Sequence, residues 1–216
     1  WPSMPSVFDD LAKSAAFAAG YPYFTPDACL INRYEPGAKM GEVILASNAI
    51  LLHLQSIMAY GLDGFAHAAE ALTGSAYGAK NRLAFKRAVK LTSIWAFVIA
   101  VLISLIYFIF GELILGLFTN IDDVLASAIT YLPWMIITPI VSIWSFQLDG
   151  IFIGASFTKE MRNAMIVSML IYLALLQILI PQWGNHGLFL GLSLFMVIRA
   201  LTLAWYYPRI VKAIAD

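Results

Sequence analysis

Leu91-Thr-Ser-Ile-Trp-Ala-Phe-Val-Ile-Ala-Val-Leu-Ile-Ser-Leu-Ile-Tyr-Phe-Ile-Phe110 contains no Asp, Glu, Lys or Arg. A helix needs about 20 apolar residues to cross the hydrocarbon of a bilayer, and this stretch supplies them. Comparable runs flank it. Val43–Leu62 is equally free of fixed charge, and so is Val124–Leu148, although Pro133 and Pro139 interrupt it. The apolar stretch Asn163–Ile198 is too long for one crossing. Inside it, Pro181-Gln-Trp-Gly-Asn-His-Gly187 gathers the residues that make turns and divides it into Asn163–Ile180 and Gly187–Tyr207. Because lipid offers the backbone no hydrogen-bond partners, each run must be a helix or a strand of a closed barrel. Barrel strands are short and alternate in polarity, so these long runs are expected to be helices.

The expected fold is therefore an all-α membrane protein of five to six transmembrane helices. The spans fall at about 43–79, 91–110, 124–156, 163–180 and 187–207, within a helix bundle covering residues 37–216. Composition agrees. The chain is 61% hydrophobic and 12% charged, about half the charged fraction of a soluble domain. The lipid bilayer is thus its first expected partner. Its zero formal net charge argues against a nucleic-acid partner. The single cysteine, Cys29, excludes an internal disulfide framework.

Basic residues set the expected orientation. Lys80, Arg82, Lys86, Arg87 and Lys90 lie between the first two spans, Lys159 and Arg162 between the third and fourth, and Arg209 and Lys212 after the fifth. The intervening connections carry Glu112, Asp122 and Asp123, or no fixed charge at all. Every second connection is basic, which places those connections and the C-terminus in the cytoplasm.

Residues 1–36 fit less well. Leu11–Phe24 is apolar but short, and it includes Lys13, Gly20 and Pro22. It reads as an interfacial helix, a damaged span or an unstructured segment. The chain begins at Trp1 without a basic and then apolar leader, as expected of a trimmed chain or a piece of a longer reading frame.

Ionisable groups within spans carry the chemical information, because a charge at a helix centre costs about 2.5–3.5 kcal/mol on insertion scales. In Gly61-Leu-Asp-Gly-Phe-Ala-His-Ala-Ala-Glu70, helical continuation sets Asp63, His67 and Glu70 four and three residues apart on one face. They are candidates to share a proton or hold a small hard cation. Alternatively, His67 and Glu70 are solvated among the headgroups. In Phe146-Gln-Leu-Asp-Gly-Ile-Phe-Ile-Gly154, Asp149 lies at intermediate depth with no nearby cation in sequence, so its partner must come from another helix. A carboxyl withdrawn from water favours its neutral form, which makes Asp149 a proton-carrier candidate or one half of a static ion pair. Arg199, in the last span, pairs with Asp149 or Asp63 or snorkels to the surface. Asn48 and Gln55 face a polar cavity or another helix.

Leu62-Asp-Gly64 and Leu148-Asp-Gly150 form a local repeat, each followed by a pair of glycines four apart: Gly74 and Gly78, and Gly150 and Gly154. Gly187 and Gly191 form a third pair. This spacing lets helix backbones approach closely, so these glycines are expected to serve packing. The chain has no Walker A motif, metalloprotease helix or serine elbow. Neither an enzyme nor a bound cofactor or metal is expected.

Gly41-Glu-Val-Ile-Leu-Ala-Ser-Asn-Ala-Ile-Leu-Leu52, Gly61-Leu-Asp-Gly-Phe-Ala-His-Ala-Ala-Glu-Ala-Leu-Thr-Gly74, Phe146-Gln-Leu-Asp-Gly-Ile-Phe-Ile-Gly-Ala155 and Glu160-Met-Arg-Asn-Ala-Met165 resemble the multidrug and toxic compound extrusion (MATE) family, in its DinF-like branch. That resemblance runs from about Gly37 to the C-terminus. It implies two six-helix lobes around a central cavity, with entry of protons or sodium ions driving export of drugs or other organic compounds. By the resemblance, the five spans are the eighth to twelfth, in the C-terminal lobe, and Asp149 occupies an acidic position linked to coupling. Asp63 and Glu70 belong to a branch signature, and Arg199 and His67 would tune the carboxylates. The expected partners are then the missing N-terminal lobe and an organic small-molecule substrate. The expected location is the bacterial inner membrane. Residues 1–36 stand where the seventh helix belongs and do not resemble it. A non-transporting membrane remnant or an assembly subunit is the competing reading.

Overall fold

The computed structural model describes residues 38–214, with side chains from Gly41 onward. The segment 1–36 and Cys29 lie outside the described residues. Among the described residues there are four helices: α1 (Ala38–Gly78), α2 (Arg82–Phe118), α3 (Asp122–Gly154) and α4 (Thr158–Ala213). All four are long and apolar enough to cross a membrane.

Five to six helices were expected and four are found, because α4 joins two helical arms at the expected division, Pro181-Gln-Trp-Gly-Asn-His-Gly187. The helical run continues through it and breaks at one residue, Gly184 (φ 55°, ψ −129°), a conformation open only to glycine. The two arms of α4 nevertheless lie side by side. Ser168 meets Thr202 at 3.4 Å, and the Tyr172 and Phe195 rings are 5.4 Å apart. A Cβ on Gly191 would strike Leu176, and one on Gly187 would strike the Leu179 carbonyl. These pairings converge on Gly184, so the second arm runs back antiparallel along the first.

The other connections are short. Asn81 caps α2 by accepting from Ala84 N–H at 2.9 Å. The ends of α1 and α3 are built alike. Lys80 and Ser156 take positive φ (52° and 62°), and the next residue donates back five positions, Asn81 N–H to Ala76 O and Phe157 N–H to Phe152 O. This is the Schellman termination, which satisfies carbonyls a helix end leaves free. As a result, Arg82, Lys86, Arg87 and Lys90 are not loop residues as expected. They occupy the first turns of α2.

Two apolar clusters hold the bundle. One joins Leu51, Leu54, Met58 and Leu62 of α1 to Ala96, Ala100, Tyr107 and Leu115 of α2 and Leu132, Met135 and Ile143 of α3. The three- and four-residue spacing marks one buried stripe per helix. The second cluster joins Ala69, Phe85, Ile151, Phe152, Ala164, Leu203 and Ile210 at the basic end. Outside these stripes the surface is apolar: Trp95, Phe97, Leu102, Phe108 and Ile109 of α2 are exposed. Only 28% of the most apolar part of α2 is buried within the protein. Water would not tolerate such a surface, but lipid does.

Polar side chains tie the helices where the apolar contacts thin out. Tyr107 Oη donates to Leu54 O at 2.7 Å, linking α2 to α1. Ser104 Oγ donates to Ile136 O at 2.5 Å, close to the point where Pro139 removes a donor from α3.

Glycine sets the closest contact. A Cβ on Gly150 would collide with Ala66 O, one on Gly154 with Glu70 O, and one on Gly74 would stand 3.0 Å from Gly154 O. Gly78 meets nothing within 4 Å, which removes it from the expected packing set. Gly150→Ala should therefore destabilise the protein by about 1–3 kcal/mol through overpacking. Gly78→Ala should stay within about 0.5 kcal/mol. Thermal unfolding of the two variants in one detergent checks the difference, and equal midpoints would refute the contact.

Candidate functional site

The contacts between α1 and α3 pair Ala66 with Gly150 and Glu70 with Gly154. Both pairs have the same offset, so the helices run parallel. That register brings Leu62-Asp-Gly64 and Leu148-Asp-Gly150 to nearly the same level.

Arg199 of the second α4 arm closes the site from the other side. Its Nη2 lies 2.8 Å from Asp149 Oδ2, with side-chain exposures of 17% and 16%. Of the partners open to Arg199 in the sequence, the structure selects Asp149. The other carboxylate oxygen, Asp149 Oδ1, is buried and has no hydrogen-bond partner. An unmatched buried carboxylate oxygen is costly, and either a proton or a cation entering the site would relieve it.

The remaining expected residues separate from this centre. His67 Nδ1 lies 3.5 Å from Glu70 Oε2, but the side chains are 78% and 38% exposed. Among the described residues, no group of three or more His, Cys, Asp or Glu side chains converges to hold a metal. The expected convergence of Asp63, His67 and Glu70 on one cation is thus not found. His67 is exposed, while Asp63 and Glu70 are both half-buried. Asn48 exchanges two hydrogen bonds with Asn185 beside the α4 break, at 2.7 and 2.8 Å. It therefore binds another helix. Gln55 is half-buried.

Several polar residues escaped the sequence reading. Gln147 is 2% exposed. Its Nε2 donates to Thr92 Oγ1 at 2.6 Å, while its Oε1 has no partner. A glutamine two positions before a membrane aspartate was a visible signal. Trp134 Nε1 donates to His186 Nδ1 at 3.0 Å, and Ser47 bonds Ser127 at 2.9 Å. No short-range pattern foretells these pairs.

A parallel helix pair bearing matched aspartates, closed by an arginine from a folded-back helix and surrounded by lipid-facing apolar surface, defines a polytopic membrane protein with a buried ion-pair site. The MatE family model matches residues 37–178, and the chain belongs to that family. It is 40% identical over 179 residues to DNA damage-inducible protein F of Escherichia coli (strain K12), covering 80% of this chain and 38% of that protein. It thus spans well under half the length of that relative. The fold is similar to the crystal structure of the eukaryotic MATE transporter AtDTX14, with a TM-score of 0.74 and 16% identity over 81% of this chain and 40% of that one. A different similarity covers 40 residues, 68% identical to the alpha-ketoglutarate-dependent dioxygenase AlkB of Escherichia coli (strain K12), which is 18% of this chain and 18% of that protein.

The ion pair has a separable energetic signature. Arg199→Leu should destabilise the protein by about 3 kcal/mol, because it strands a buried carboxylate. Asp149→Leu combined with Arg199→Leu should recover much of that loss. Thermal unfolding of the two single variants and the double variant in detergent measures the coupling, and simple additivity would show that the contact carries no energy.

Proposed function

We propose that this chain is the C-terminal lobe of a cation-coupled antiporter that exports drugs or other organic compounds across the bacterial inner membrane. The coupling ion is a proton or a sodium ion. One observation carries the reading: Asp149 is buried between helices of the family-matched segment, with Arg199 on one oxygen and nothing on the other. Such a carboxylate has two states. Ionised, it holds Arg199; with its charge neutralised by an entering cation, it releases that arginine. Arg199 sits on a different helix, so a change of charge at Asp149 becomes a change in how tightly α3 and α4 are held together. Asp63, level with it on α1, adds a second negative charge that favours the cation-loaded state. Glu70 and His67 belong to the exposed end of the same helix, at its cytoplasmic mouth.

The antiparallel arms of α4 support five crossings in place of four, with Gly184 at the outer turn. The basic first turns of α2 and the basic end of α4 then share the cytoplasmic side, with the C-terminus. The function is that of a transporter lobe and not an enzyme. The dioxygenase-like stretch amounts to 18% of that enzyme, and the transporter-like match accounts for 80% of this chain. A remnant or assembly subunit is the second reading.

Two measurements test the proposal. Asp149→Asn, placed at the matching position of a full-length relative, should lower ion-driven efflux at least about tenfold, the scale of losing about 1.4 kcal/mol of coupling. Unchanged coupled efflux would remove Asp149 from the mechanism. A fluorescent protein fused after Asp216 should fluoresce, as it does only in the cytoplasm. A dark fusion that becomes active as a periplasmic phosphatase fusion would reverse the topology.

A further inference from the structure

The basic end of α2 stands directly above an exposed apolar face of the same helix. At about 1.5 Å per residue, the uncharged run Leu91–Phe110 fills the roughly 30 Å hydrocarbon layer. Lys90, Arg87 and Lys86 then lie within about 8 Å beyond its edge, at the level of the headgroups, while Arg82 lies farther out. All three are exposed. Among the described residues, no carboxylate pairs with any of them. Successive residues of a helix turn by about 100°, so Lys86, Arg87 and Lys90 occupy one sector of α2. Phe85 and Val89, on the other side, are buried and half-buried.

The cationic sector continues downward as apolar surface. Ile94, Phe97 and Val98 follow on the same side of α2 and are exposed. With Ser93 and Trp144 of α3 they line a groove of about 260 Å³. The Trp144 ring stacks on Phe97 at 6.0 Å, which fixes the wall that α3 contributes. No lining residue is charged. In a bilayer an acyl chain covers such a groove, and the cations above it select the headgroup. A zwitterionic headgroup brings an ammonium that three unpaired cations repel. A headgroup with a phosphate and no cation of its own matches them.

We propose that this face of α2 is a binding site for one anionic phospholipid. Lys86, Arg87 and Lys90 hold its phosphate, and one acyl chain lies along Ile94 and Phe97 against Trp144. A soluble phosphate ester would meet the cations but leave the groove uncovered. The site goes beyond the transporter reading and rests only on the placement of α2 in the membrane.

Native mass spectrometry of the full chain in dodecyl maltoside tests it. Titration with dioleoyl phosphatidylglycerol or dioleoyl phosphatidylcholine gives the dissociation constant of the first bound lipid. Phosphatidylglycerol is expected to bind at least about tenfold tighter, since a basic residue at a membrane surface is worth about fivefold toward anionic lipid. Lys86→Gln, Arg87→Gln and Lys90→Gln together should bring the two lipids within about twofold of each other, at unchanged helicity. Lys159→Gln with Arg162→Gln neutralises two cations at the same end of the bundle and should leave the preference in place. An equal loss in both variants would overturn the site, because the charge of that end at large would then explain the binding. Equal affinity for the two lipids on the unaltered protein would overturn it without recourse to any variant. Glycerol phosphate in large excess should not displace the lipid. Displacement would show that the cations take a free phosphate and that the groove contributes nothing. No ion gradient is present in the assay, so failure of Asp149 as the coupling carboxylate would leave this result standing, and failure here would leave the coupling test untouched.

Discussion

The near-contact of two backbones, at Gly150 and Gly154 of α3 against Ala66 and Glu70 of α1, is the constraint on which the rest of the site depends. Lipid provides no hydrophobic drive for helix association, so packing and polar contacts must supply the attraction. A side chain at either glycine would hold the helices apart by the width of a methyl group. With that contact made, the register is fixed, and everything around it follows. Asp63 and Asp149 stand level, and Ile151 and Phe152 turn into the basic-end cluster with Phe85 and Leu203. The second arm of α4 reaches the α3 face that carries Asp149.

Much of this architecture was legible in the sequence, because the bilayer imposes length and polarity together. Leu91–Phe110 could be little other than a membrane helix, and it lies wholly within α2. The glycine pairs were legible as packing sites for the same reason, but spacing alone could not separate Gly74, which touches α3, from Gly78, which touches nothing. Helix ends were read less well. Arg82–Lys90 is polar enough to resemble a loop, yet Asn81 caps a helix that starts there. Charges are tolerated in a helix that has left the hydrocarbon, and hydropathy does not register that difference. At Pro181–Gly187 the division falls where the turn residues placed it, in a tighter form. A cluster of turn residues suggested a loop, but one glycine at positive φ reverses the chain.

The candidate site shows a sharper limit. Asp149 announced itself as a charge in an apolar run. Its partner was legible only as one of three readings, with Arg199 open to Asp149, Asp63 or the surface, and the fold-back at Gly184 is what brings Asp149 and Arg199 within 2.8 Å. Asp63, His67 and Glu70 pose the opposite problem. Their spacing is right for one face, but a periodic pattern says nothing about where that face points. The exposure of His67 at 78% is a consequence of how α1 rotates to present Ala66 and Glu70 carbonyls to the α3 glycines. The contact that makes the Asp149 site also disperses the expected cluster.

The ion pair joins α3 to the second arm of α4. Gln147 and Leu148 precede Asp149 directly, and Ala200 follows Arg199. On a helix, adjacent residues point about 100° apart, so one stretch of α3 presents the carboxylate to one side and the amide to another. Two polar atoms, Asp149 Oδ1 and Gln147 Oε1, stand unpartnered within three residues of each other. An apolar bundle built only for stability would have satisfied or replaced both.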